Sequence, residues 1–164
     1  MRINESALVA ASPETIWYYL ADPENYLHFM SGITRWEVVG EKPNGLGARY
    51  RSLVRVGAAE VGGLIEMVEW NEPFDIAWHS VTGVDHRGRW RIREQGEGRT
   101  RIEFRFAYGV VGAGIPGLVT EIAAALTVRR QMRRTLWQLK RQVEHEQRRL
   151  EAELRRGARR AARA

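Results

Sequence analysis

The sequence predicts an α+β domain: a curled, seven-stranded antiparallel sheet gripping one long C-terminal helix, with two short helices after the first strand. Three observations carry that prediction. From Ile33 to Gly109 segments of β-type content succeed one another across links of hairpin length, the signature of antiparallel pairing. From Gly117 to Glu146 the apolar residues return at helical spacing. A sheet with one apolar face must be covered, and this helix is the only long amphipathic element available.

Residues 2 to 10 read as the first strand. Ser12-Pro13-Glu14-Thr15 then opens a helix to about Leu20, with Ser12 as N-cap, Pro13 in the first turn and Glu14 at the positive helix end. Asp22-Pro23-Glu24 restarts a second short helix through His28. Six strands follow, at 33 to 40, 47 to 56, 58 to 69, 75 to 82, 85 to 95 and 99 to 109. Pro43-Asn44-Gly45, Asn71-Glu72-Pro73, Gly83 and Gly96-Glu97-Gly98 supply the breaks.

The last two strands alternate most clearly. Arg87, Arg89, Arg91 and Arg93 interleave with His86, Gly88, Trp90 and Ile92, and Arg101, Glu103 and Arg105 interleave with Ile102, Phe104, Phe106 and Tyr108. One face is therefore wet and the other covered. The same rule turns Tyr50, Ser52, Val54 and Val56 inward. The arginine rows read as a solvated face paired in part with Glu103, or as an anionic docking surface.

On a helical wheel Leu118, Ala125, Val128, Met132, Leu136, Leu139 and Val143 lie within about 40° of one line. Glu121 falls inside that band and Arg129 about 60° off, at its edge, where a plain core helix carries Leu or Ala. The stripe continues through Leu150 and Leu154, where no residue of the body remains to be covered. The chain accordingly divides into a domain at 1–146 and an Arg-rich extension at 147–164, helical or disordered.

At 164 residues the chain can build a core without disulfides or metal, and with no Cys it excludes thiolate zinc sites and cysteine nucleophiles. Its charge is uneven: residues 147–164 hold seven Arg and two Glu, leaving 19 basic and 18 acidic residues in the rest. The cysteine-free composition and a start with no apolar signal core point to the cytoplasm. Ala107 to Val128 has the length of a membrane span, but four Gly, Pro116 and Glu121 argue against one. The four His are scattered, and no metal spacing, phosphate-cradling Gly-Lys-Ser or Gly-Lys-Thr, Gly-x-Ser-x-Gly or dinucleotide fingerprint is present. No metal or cofactor is expected.

Several local patterns together resemble a known family. They are Ser6-Ala7-Leu8-Val9-Ala10-Ala11-Ser12-Pro13-Glu14-Thr15-Ile16-Trp17, Leu20-Ala21-Asp22-Pro23, Gly45-Leu46-Gly47, Ile76-Ala77-Trp78, Gly88-Arg89-Trp90 and Gly98-Arg99-Thr100-Arg101-Ile102 ahead of the long helix. In order and spacing, over residues 3 to 146, they resemble the START-like helix-grip (SRPBCC) superfamily, in its polyketide cyclase/dehydrase-type and lipid-carrier branch. The resemblance implies a hydrophobic cavity between sheet and helix that binds lipids, polyketides or other apolar molecules.

With that cavity in mind, the candidate ligand-binding residues are Tyr50, Trp78, His86, Trp90, Phe104 and Tyr108 on the sheet, and Glu121, Ala125, Arg129 and Met132 on the helix. Glu121 and His86 are the candidate acid-base groups. Glu121 sits either inside, where desolvation raises its pKa, or in a solvated first turn at the cavity mouth. Arg129 holds a polar end of a ligand or snorkels at the boundary. Trp78 and Trp90 stack on a ligand or pack the core, and Ala123, Ala124 and Ala125 leave volume open or serve helix propensity. Three functions fit: carriage of an apolar small molecule; a polyketide cyclase, dehydratase or aromatase using Glu121 or His86; and docking on RNA or an anionic membrane through the Arg tail.

Overall fold

The computed structural model describes residues 1–109 and 115–162, with the side chains of 115–124 outside that description. Eleven elements follow the expected order among the described residues: β1 (Arg2–Val9), α1 (Pro13–Ala21), a 3-10 turn (Pro23–Asn25), α2 (Tyr26–Phe29), β2 (Ile33–Val39), β3 (Arg49–Val56), β4 (Ala59–Asn71), β5 (Asp75–Ser80), β6 (His86–Gly96), β7 (Arg99–Tyr108) and the long helix α3 (Ile115–Ala161). The start of α1 is built as its sequence suggests, with Ser12 Oγ accepting from the Thr15 amide at 3.2 Å. Asp22 caps the 3-10 turn by accepting from the Glu24 amide.

All seven strands form one antiparallel sheet in the order β1-β7-β6-β5-β4-β3-β2. Strands β2 to β7 are a meander, and β1 lies at the β7 edge, from which the chain passes through α1 and α2 to reach β2 at the other. At the β6–β7 turn Gly96, Glu97 and Gly98 all have positive φ, the handedness that a tight hairpin demands. Register shifts at Ile33/Arg35, Met67/Glu69 and Glu94/Gly96 add bulges that bend the strands and curl the sheet. Where β4 bends, Gly62 and Gly63 bring bare backbone against Ser52 and Thr82 at distances that no Cβ would tolerate.

The concave face meets α3. Ile65, Trp78, Trp90, Ile92 and Phe104 of the sheet and Met132, Leu136, Leu139 and Val143 of α3 are all buried, closed at one end by Ile16, Trp17, Leu20 and Phe29 from the short helices. A run of rings threads this core: Tyr26 stacks on Trp36 at 4.1 Å, Trp36 on Tyr50 at 5.2 Å, and Trp90 on Phe104 at 4.0 Å. The outer face carries ion pairs more widely than the expected Glu103 pairing: Arg105 with Glu103, Arg49 with Glu66, Arg89 with Glu69, and Arg91 and Arg93 with Asp75.

Polar ties fix α3 along its length. Thr135 Oγ1 accepts from the Ser31 amide, Lys140 Nζ donates to Leu8 O, Glu144 accepts from the Ala10 amide, and Gln147 Oε1 accepts from Thr15 Oγ1 at 2.7 Å. Beyond Gln147 the helix continues to Ala161, with Leu150 and Leu154 exposed. Among the described residues no helix is long and apolar enough to cross a membrane.

Candidate functional site: an apolar cavity under the long helix

Packing is complete where Leu136, Leu139 and Val143 meet the sheet. Beside Val128 and Gln131 a cavity of about 250 Å³ lies between the helix and the concave face. Alternation in β3 turns Ser52, Val54 and Val56 into it, and β4 adds Ala59, Val61 and Gly62. Trp36 and Trp78 form one wall, and Val84, His86, Phe106 and Tyr108 another. Met30, just past α2, and Val128 and Gln131 of α3 close it. The lining is almost wholly aliphatic and aromatic, the composition expected of a site for an apolar molecule.

Its polar groups are few and mostly committed. Gln131 donates to Arg55 O at 2.5 Å, and the Tyr108 hydroxyl lies 3.3 Å from Met1 Sδ. His86 opens β6, where its amide donates to Ser80 Oγ and its Nδ1 lies 2.8 Å from Val84 O. A carbonyl only accepts, so Nδ1 carries the proton and Nε2 of the neutral ring is left as an acceptor. Burial pushes the His86 pKa down, an effect that the Val84 carbonyl and the Asp85 carboxylate offset only in part. The ring is therefore neutral at pH 7. The Trp36 indole N–H is buried and has no acceptor among the described residues.

The structure brings together three of the residues expected at the site: Trp78, His86 and Tyr108 all line the cavity. Tyr50, Trp90, Phe104 and Met132 are buried in the packed core beside it. Tyr50 is further occupied, its hydroxyl donating to Pro43 O at 2.7 Å while burial pushes its pKa up to about 12. Ala125 is half-buried on α3. Arg129 is not at the cavity: its side chain is exposed, with Nε 3.7 Å from Glu5 of β1, the ion partner that fixes it outside. The side chains of Glu121, Ala123 and Ala124 lie outside the described residues.

Sequence reasoning turns Ser52, Val54, Val56 and Phe106 inward without marking them as cavity lining. It misses Met30, Trp36, Val84 and Gln131. For Trp36 a signal exists, since it is the one aromatic of β2 and stands between Arg35 and Glu37. Its neighbours are offset by the bulge at Ile33/Arg35, which hides the alternation. Gln131 has none, because a glutamine next to the buried stripe looks like any boundary residue.

The comparisons agree with this architecture. The family model described as polyketide cyclase / dehydrase and lipid transport matches residues 1–144. No curated protein matches the chain by sequence. Among solved structures it is similar to TTHA0849 from Thermus thermophilus, at 20% identity and a TM-score of 0.75, covering 87% of this chain and 97% of that one. It is also similar to the Zhui aromatase/cyclase from Streptomyces sp. R1128, at 20% identity and a TM-score of 0.73, covering 88% and 93%. A START superfamily protein from Mycobacterium smegmatis matches at 17% identity and a TM-score of 0.62, over 91% and 98%. These likenesses are of fold. With the curled sheet, the long helix and a family match over nearly the whole globular body, the chain belongs to the START-like family of polyketide cyclase/dehydrase and lipid transport proteins.

Proposed function

We propose that the protein binds and carries a small, mainly apolar molecule in the cavity beneath α3. The observation that carries this reading is the cavity itself. A volume of about 250 Å³ with an aliphatic and aromatic lining exceeds the roughly 150 Å³ that holds a benzene ring in an engineered protein core. One or two rings, or a short branched chain, match it. The neutral His86, with Nε2 as acceptor, favours a ligand that presents a hydroxyl donor at that end. The binding unit is residues 1–146, and the extension from 147 is no part of it. A cytoplasmic setting suits a chain without cysteine.

A second reading rests on the same histidine. A neutral imidazole in an apolar cavity is placed to take a proton from a phenol or enol, as cyclisation or dehydration of a polyketide-like substrate requires. Glu121 enters this reading as the alternative acid-base group, on its position in the helical stripe alone.

Native mass spectrometry of the purified protein, with titration of hydroxylated one- and two-ring aromatics, tests the first reading. Val54→Trp, which fills the cavity, should weaken binding by tenfold or more. The reading fails if no apolar molecule binds, or if that variant binds as the parent does. His86→Gln and Glu121→Gln separate carrier from enzyme. Affinity held within a few fold with no turnover to lose marks a carrier, whereas binding kept with turnover down about a hundredfold marks an acid-base catalyst.

A further inference from the structure

The outer side of α3 has an organisation of its own. On a helical wheel Arg130, Arg134, Arg141, Arg148, Arg155 and Arg159 fall within about 30° of one line, and that line is opposite the buried stripe of Met132, Leu136, Leu139 and Val143. All six are exposed, and none forms an ion pair among the described residues. Off that line, Arg129 and Arg133 both pair with Glu5 and Arg149 pairs with Glu146 and Glu153, while near the end of the helix Arg156 and Arg160 are exposed with no ion pair among the described residues. Over the body the helix thus keeps its uncompensated arginines in a single ridge, which runs on past the body to a total length of about 44 Å. About the last two-fifths of the ridge projects beyond Gln147, the final residue hydrogen-bonded to the body.

Within this ridge sits one large apolar side chain. Trp137 is 58% exposed, an expensive place for an indole, and the Arg141 guanidinium lies over its ring at 4.7 Å. His28 of α2 and His145 flank the pair, forming with them a surface notch of about 410 Å³.

We infer that this ridge binds single-stranded nucleic acid, the arginines following its phosphates and Trp137 stacking on a base. A row of unpaired cations complements a linear polyanion, and an exposed aromatic in that row is the usual partner for an unpaired base. An extended strand can follow a straight ridge, whereas a duplex winds its phosphates away from it. Docking on an anionic bilayer is the poorer match, because a surface-bound helix buries an apolar face, and that of α3 points away from the ridge, into the body as far as Val143 with only Leu150 and Leu154 exposed beyond it.

The test uses the full chain and fluorescence anisotropy with labelled oligo-dT and oligo-U of about 15 nucleotides, over about 50 to 200 mM salt. With on the order of six phosphates neutralised, log affinity should fall against log salt with a slope of about −4. The triple variant Arg134→Gln/Arg141→Gln/Arg148→Gln should reduce that slope by about 2. Arg129→Gln/Arg133→Gln/Arg149→Gln, which removes the same charge off the ridge, should leave it nearly unchanged. Trp137→Ala should weaken binding about tenfold at an unchanged slope. Circular dichroism checks that each variant keeps its helix content. The inference is overturned if neither oligonucleotide binds at low salt, if the two triple variants lose affinity equally, if a duplex of the same length binds as tightly, or if vesicles rich in phosphatidylserine bind where the oligonucleotides do not. Ligand titration of the cavity is independent of every one of these outcomes.

Discussion

The indole of Trp78 lies against the bare backbone of Gly88, its cross-strand partner on β6, in the space that a side chain on residue 88 would occupy. Trp78 is 2% exposed and forms part of the cavity wall, so the glycine sets where that wall stands. Gly88→Ala must push the ring inward or the strands apart. We expect a loss of about 1–3 kcal/mol from overpacking, measured by urea denaturation. Affinity for any cavity ligand should fall with it, and unchanged stability would show that the ring has room to move.

His86 makes stability depend on pH. Burial lowers its pKa from the ordinary 6.5, so the unfolded chain takes up the proton more readily than the folded one. Its contribution is therefore fully present above about pH 6.5 and is lost as pH falls from there towards the lowered folded value. Thermal midpoints followed from about pH 7.5 to about pH 5 should drop more for the parent than for His86→Gln. Parallel curves would mean that the ring protonates as freely in the fold as out of it.

The contrast between His86 and Arg129 indicates what the sequence makes legible. His86 is found where alternation puts it, at a strand end on the covered face, because the pattern through Gly88, Trp90 and Ile92 is a local property of one strand. The sheet and the helix start are legible for the same reason: cap, turn and alternation signals lie within a few residues of the structure they specify. For Arg129, at the edge of the buried stripe, the pattern leaves two places open, at a ligand or snorkelling at the boundary. Its actual partner, Glu5, is far away in sequence and is brought alongside only by the path of α3 over β1. The cavity is of this second kind. Its walls come from segments as far apart as Met30, Ser52, Val84, Phe106 and Val128, so no local pattern announces it.

Asp75 offers a separate test on the outer face. Its side chain is 7% exposed and accepts from Arg91 Nε at 3.2 Å and from an Arg93 guanidinium nitrogen at 2.8 Å, bridging the β5–β6 pair. Both arginines are partly exposed, so water can recover part of what they lose. Asp75→Asn should therefore cost about 1–3 kcal/mol, less than the roughly 3–5 kcal/mol typical of a fully buried pair. The cost should shrink in the Arg91→Gln/Arg93→Gln background, because the carboxylate then has no cation to serve. A double-mutant cycle by chemical denaturation measures that coupling, and simple additivity would refute it.

The two halves of the α3 stripe should respond unequally to the same truncation. Leu139 is fully buried against the sheet, whereas Leu154, on the same face and a little over four turns later, is 74% exposed. Leu139→Ala removes packed methyl groups and leaves a cavity, so we expect a loss of about 2–5 kcal/mol. Leu154→Ala removes an exposed side chain from a strong helix-forming context and should change stability by no more than about 0.5 kcal/mol. Deleting residues 148–164 should likewise leave the unfolding midpoint of the body within a few degrees, since the last tie between helix and body is Gln147 with Thr15. A large drop on that deletion would mean that the projecting segment covers something on the body after all, and the ridge that extends along it would then need another explanation.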